Sequence, residues 1–173
     1  MLKSTLSVAA FCLSAVAATA GSYSVTVTNN MDKELLAPIL ITSAANDAQI
    51  FAGAYVTPEA EAQILTGDPG KLAMRIGADA MVGKGTDGPP GVLLAPGKSV
   101  SFEIMTEATA LRILAMVAPT MVPDNYLTNV VDLQGSDKVE VGLNRFDIGN
   151  DEGTMMNSMI SGPAATVVIE KKM

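Results

Sequence analysis

The sequence predicts a mainly β fold, an antiparallel β-sandwich of about eight strands with one or two short helices inserted between strands. Three observations predict it. Short runs alternate apolar and polar residues with a period of two, and β-branched residues fill them. Clusters of Gly, Pro, Asn and Asp punctuate these runs. Helix-start signals are confined to residues 57–80.

The elements follow in chain order. Tyr23-Ser24-Val25-Thr26-Val27-Thr28 sets Val25 and Val27 on one face and Ser24, Thr26 and Thr28 on the other, the pattern of a half-buried strand closed by Asn29-Asn30. Residues 35–42 form a second strand, and Pro38 within it points to an edge or a bulge. Thr57-Pro58-Glu59 has the order N-cap, first-turn proline, acidic first turn, ahead of helix formers over residues 60–65. Asp68-Pro69-Gly70 repeats the signal before residues 71–76. Residues 83–91 hold four glycines and two prolines and read as a loop. After Pro96-Gly97 the strands resume: residues 99–105 place Val100, Phe102 and Ile104 opposite Ser101 and Glu103. Residues 110–118 are nearly all apolar, as a strand covered on both faces requires, residues 138–143 alternate again, and residues 165–169 are a last β-branched run. Six or seven strands are thus individually legible, without an internal repeat or an interdomain linker.

The first twenty residues read as a secretory signal peptide: Lys3 in a short positive segment, an apolar stretch over residues 6–16, and Ala18-Thr19-Ala20 as the cleavage site before Gly21. The expected organisation is therefore a signal peptide over residues 1–20 and one domain over residues 21–173, exported to the periplasm or secreted. Removing Lys3 from the 11 basic residues leaves 10 against 18 acidic ones. It also removes Cys12, the only cysteine, in a chain that has no histidine. Disulfides, thiol nucleophiles, Cys- or His-ligated zinc and a Ser-His-Asp triad are then excluded. The acidity excludes a basic stripe for nucleic acid. No other apolar run reaches the roughly 18 residues a membrane span needs. Cys12 follows Ala9-Ala10-Phe11, which puts a bulky residue where a lipoprotein signal needs a small one. No motif sets a nucleophile beside a base, and the glycines at 83, 85 and 88 lack the ending of a phosphate loop, so the expectation is a protein without catalysis, with an enzyme that acts on extracellular polymer through an acidic pair as a third reading.

Two constellations carry possible chemistry. The first is acidic: Phe146-Asp147-Ile148-Gly149-Asn150-Asp151-Glu152-Gly153 puts three carboxylates in a turn after a strand, Asp124 lies in the loop following residues 110–118, and Glu103 points away from the Phe102 face. Loops converge at the ends of a sandwich, clustered carboxylates need a compensating cation, and oxygen-only ligands select calcium or magnesium. The competing reading is that Asp, Asn and Gly simply make turns. The second is sulfur: Met155, Met156 and Met159 lie within five positions, and thioethers bind Cu(I), which makes a Met-based periplasmic copper protein the alternative function. Methionine is also an adaptable core filler.

The acidic positions extend into a resemblance. The run Leu114-Ala115-Met116-Val117-Ala118-Pro119-Thr120 followed by Asp124-Asn125 resembles the M-x-x-P-[ST] … D signature of the spondin N-terminal domain family, and Phe146-Asp147-Ile148-Gly149-Asn150-Asp151 resembles its [YF]-D-A-G-T-[DE]. Val25-Thr26-Val27-Thr28-Asn29, the Pro96-Gly97-Lys98-Ser99-Val100-Ser101-Phe102-Glu103 run and the helical stretch 57–80 follow in the same order. The resemblance implies a calcium-binding β-sandwich module with a role in cell adhesion or extracellular ligand binding. By position it implies Glu103, Asp124, Asp147 and Asp151 as the metal ligands, calcium as the cofactor, and an extracellular or cell-surface ligand as the partner. Met121 and Val122 are extra residues ahead of Asp124, the aromatic that follows that aspartate is displaced to Tyr126, and the cysteines of the animal relatives are absent.

Overall fold

The computed structural model describes residues 20–118 and 124–172. The expected signal peptide and the Pro119-Thr120 step with Met121 and Val122 lie outside the described residues, Ala20 excepted.

The strands are β1 (Gly21–Asn29), β2 (Leu35–Leu36), β3 (Ile39–Ser43), β4 (Phe51–Ala52), β5 (Tyr55–Val56), β6 (Met81–Gly83), β7 (Ser99–Thr106), β8 (Ala110–Ala118), β9 (Asn125–Asp132), β10 (Lys138–Asp147) and β11 (Ser158–Lys171). Among the described residues, three short helices, α1 (Asp47–Ile50), α2 (Pro58–Thr66) and α3 (Gly70–Ile76), all fall between β3 and β6. The main sheet runs β6-β3-β8-β9-β10-β11-β1-β7, with β2 pairing β8 beside that path and β4-β5 forming a separate hairpin. The pairings are antiparallel, as expected.

The strands form one sheet curled into a nearly closed barrel, in which the expected two facing sheets are not clearly separated. Its last strands approach each other where the Phe102 ring of β7 covers Gly83 of β6, so closely that a Cβ on Gly83 would lie 2.3 Å from the ring. Closure rests on β11. Its C-terminal half pairs with β1 and β10, while its N-terminal half follows β10 alone through register shifts between Leu143 and Phe146. Bulges of this kind bend and twist a strand. Alternation along a strand reports that one face is buried. It does not report whether that face meets a second sheet or the far wall of its own.

Inside the barrel, Val25, Val27, Ile39, Ile113, Leu127 and Val167 form the main core. A second core lies on the outer face, where Leu40, Leu114 and Tyr126 of the sheet meet Ile50, Ile64 and Leu72 of the helices. Full burial of each such aliphatic side chain contributes about 1.5–3 kcal/mol. β8 serves both cores, which accounts for its continuous apolar run.

Helix α2 forms as its sequence dictates. The Thr57 hydroxyl accepts a hydrogen bond from the Ala60 N–H, Pro58 opens the first turn, and Gly67 ends the helix in the left-handed region at φ 74°. Before α3 the Asp68 carboxylate accepts a bond from the Gly70 N–H at 2.9 Å, although Pro69 holds the cap position. The strand expected over residues 35–42 is interrupted at Ala37-Pro38, and β3 lies inside the sheet between β6 and β8 rather than at an edge. Pro38 sits in the gap between β2 and β3, so its missing N–H costs the ladder nothing. Strand β9 was hidden by its polar residues. The buried Thr128 donates to the Ile113 carbonyl at 2.6 Å and the half-buried Asn129 to that of Gly142 at 2.8 Å, so these polar side chains are satisfied while the alternation is lost. No helix among the described residues is long and apolar enough to cross a membrane.

Candidate metal site

The end of β10 and the start of β9 lie side by side, with Asp147 opposite Asn125 in the ladder. Arg145 is opposite Leu127, an interior residue, so Arg145, Asp147 and Asn125 line the inward side of the barrel beyond its last apolar layer. On the outward side, Tyr126 and Phe146 stack with ring centroids 5.6 Å apart, and the Tyr126 hydroxyl donates to Asn157 at 2.6 Å. Burial pushes the Tyr126 hydroxyl well above the usual phenol range, so it stays protonated and keeps donating. These contacts fix both ends of the loop between β10 and β11.

That loop folds back at Gly149, at φ 68°. A Cβ at this position would stand 2.1 Å from the Thr154 hydroxyl oxygen, so glycine is required both by conformation and by space. The Gly149 carbonyl accepts from the N–H groups of Thr154 and Met155, each at 3.0 Å, and the Ile148 N–H donates to the Asp124 carbonyl at 3.3 Å. The turn thereby places Asp151 and Glu152 over Asp124 and Asp147. One carboxylate oxygen from each of these four residues lies within 4.8 Å of the others.

Hydrogen bonds hold the inner pair. The Asn125 amide donates to Asp124 at 3.0 Å and to Asp147 at 3.1 Å, and the second oxygen of Asp124 accepts from the Asp151 N–H at 3.4 Å. Asn125 is itself held: its carbonyl oxygen accepts from Arg145 Nε at 2.7 Å, while the other guanidinium nitrogens form a two-point pair with Glu34 at 2.8 and 2.9 Å. Glu34, Arg145 and Asn125 thus form a continuous chain ending on two of the four carboxylates. The sequence signal for it was the i, i+2 spacing of Arg145 and Asp147, which puts both on one strand face, and it passed unread.

The outer pair carries the electrostatic cost of the arrangement. Glu152 is pushed above its ordinary value chiefly by its hydrogen bond to Asp151, and Asp151 is held below its own chiefly by accepting that bond. Two carboxylates at this distance resist full ionisation, and a cation removes the conflict. Calcium binds oxygens at about 2.3–2.6 Å, so ligands on opposite sides of one ion stand about 4.6–5.2 Å apart. A four-carboxylate group spanning 4.8 Å or less fits one such ion. Aspartate and glutamate oxygens are the ligand set that hard cations take.

The structure brings Asp124, Asp147 and Asp151 together and does not bring Glu103 to them. Glu103 is opposite Ser24, Ser24 is opposite Glu170, and Glu170 is opposite Lys138, at the far end of the ten-residue β10 from Asp147. At about 3.3 Å per residue that is roughly 30 Å along the strand. Glu103 is exposed and forms an ion pair with Lys172. A count of residues back from Pro119 locates a strand but not its position in the sheet, and β7 lies at one end of the strand order, beyond β1, with four strands between it and β8. Glu152 stands at the site instead. Met155, Met156 and Met159 are 37%, 51% and 61% exposed, outside both cores, so they are not core filler.

Comparison with protein-family models and with curated proteins returns no match for this chain.

Proposed function

We propose that the protein is an exported calcium-binding β module of the spondin N-terminal type, with a role in adhesion or extracellular ligand binding and no catalysis. The observation that supports the reading is the convergence of Asp124, Asp147, Asp151 and Glu152 on one volume of ionic size, with the Asp124 carboxylate buried and held by Asn125. The four carboxylates would supply the protein ligands, and a bound ion would neutralise them and fix the β10–β11 loop. The fixed loop and the exposed residues beside it would then present the surface for a cell-surface or extracellular partner. Titration of metal-stripped protein and of Asp147→Asn with calcium tests the site. The reading requires saturable binding by the first and at least tenfold weaker binding by the second; equal affinity removes the site as drawn.

A second reading rests on the exposure of Met155, Met156 and Met159: a thioether site for Cu(I) on the same loop. It requires Cu(I) uptake that disappears on joint Met→Leu substitution of the three, with calcium having no effect.

A further inference from the structure

At the corner between α2 and α3 the surface opens into a cleft of about 550 Å³ that the carboxylate site does not use. Its floor is buried and apolar, built from Ala37, Pro38, Pro69 and Met116, and Val82 and Leu93 form its walls. The two prolines of the floor have fixed φ angles, and Gly67 beside them fits so closely that a Cβ would stand 3.0 Å from Ala37 and 3.1 Å from the Met116 sulfur. The volume lies in the range, about 300–1,000 Å³, of clefts that hold small organic molecules, and a largely apolar lining with a few placed polar groups is their usual composition.

Two charged side chains stand on this lining, Asp68 and Lys84. They differ in availability. Asp68 already accepts the Gly70 N–H. Lys84 is exposed and pairs with no carboxylate among the described residues, in a protein with 18 acidic side chains. One free cation over an apolar floor complements a molecule with an apolar body and a single negative charge. The nearby Asp68 disfavours a dianion such as a phosphate monoester.

We infer that this cleft is a binding site for an amphipathic monocarboxylate, its apolar body on the Pro38–Pro69–Met116 floor and its carboxylate at Lys84. The site is independent of the calcium reading, so it is tested in EDTA. Dodecanoate and dodecanol, below the concentrations at which they aggregate, are titrated into the protein and into Val82→Trp and Lys84→Gln, each variant first shown to melt as the parent does. The inference predicts saturable binding of dodecanoate, lost when the indole fills the cleft. It predicts a three- to fivefold weakening in Lys84→Gln, the effect of one exposed ion pair of up to about 1 kcal/mol. Dodecanol should bind more weakly than dodecanoate and be indifferent to Lys84→Gln. Absence of saturable binding, binding unchanged in Val82→Trp, or equal affinity for acid and alcohol would each overturn it.

Discussion

Replacing Arg145 by lysine separates the two roles of the guanidinium. Arg145 lies about 20 Å of strand closer to the carboxylates than Lys138 does, at about 3.3 Å per residue, and its charge alone opposes calcium. A neutral substitution would therefore mix lost repulsion with lost positioning, whereas Arg145→Lys keeps the charge and removes the fork. Lysine can retain one contact with Glu34 but cannot hold Glu34 in two points and Asn125 in a third. The lost bond to Asn125 is charge-assisted and about 1.5–3 kcal/mol in value. The Arg145 and Glu34 side chains are 19% and 30% exposed, between the fully buried and the solvated cases, so the lower half of that range applies, about 2 kcal/mol. For a domain of this size that lowers the melting temperature by about 4–8 °C. Calcium affinity should fall by about tenfold, as when a residue that orients a metal ligand is lost. Urea unfolding and calorimetric titration, both on metal-stripped protein, read the two effects. A stability change under 0.5 kcal/mol together with unaltered calcium affinity would refute the chain from Glu34 to the carboxylates as a positioning device.

Other predictions follow from the same geometry. Gly149→Ala should weaken calcium binding by more than tenfold with little change in the core, because the added Cβ meets Thr154 at a left-handed backbone position; unchanged affinity in a calcium titration would contradict it. The hydrogen bond between Asp151 and Glu152 lowers the first carboxyl and raises the second, so the proton belongs to the pair, and the clustered carboxylates oppose folding increasingly as pH rises through the range where Glu152 gives that proton up. Glu152→Gln should accordingly raise the melting temperature of metal-free protein at pH 7 while weakening calcium binding, and the stabilisation should vanish near pH 3. In the parent protein, calcium uptake at a pH where Glu152 still holds its proton should release that proton, seen as a binding heat that depends on the buffer. The buried Gln63 Oε1 has no hydrogen-bond partner among the described residues and its amide reaches Leu114 only at 3.5 Å, so Gln63→Met should stabilise the protein by about 1 kcal/mol in urea unfolding, and a loss of that size would show the amide to be satisfied.

The parts of the fold that are legible in the sequence are those where a local rule and the tertiary structure agree. Thr57, Pro58 and Gly67 delimit α2 because caps and φ preferences act within a few residues, and Val25/Val27 declare the inner face of β1 because alternation is set by the strand itself. β9 was not legible, because Asn125 and Thr128 are buried, and Asn129 half-buried, by virtue of partners on β8 and β10 that only the folded sheet supplies. Barrel closure was not legible for a related reason: it depends on the bulges of β10–β11 and on Phe102 meeting Gly83, residues distant in sequence. At the site, carboxylates from neighbouring strand ends could be grouped from turn chemistry, which brings Asp124, Asp147 and Asp151 together. Glu103 could not be placed, since its depth in the sheet is fixed by the register of β7 on β1. Asn125 and Arg145 carry no metal-ligand signature, and their role is visible only through the hydrogen bonds they make.

The most direct test of the central claim is calorimetric titration of metal-stripped protein, residues 21–173, with calcium, with a melting curve in each state. The account predicts saturable binding of one ion and, at a hundredfold excess over Kd, about 2.7 kcal/mol of added stability, a rise of about 5–11 °C in melting temperature. No heat and coincident melting curves would contradict it and leave the four carboxylates as the side chains of two turns.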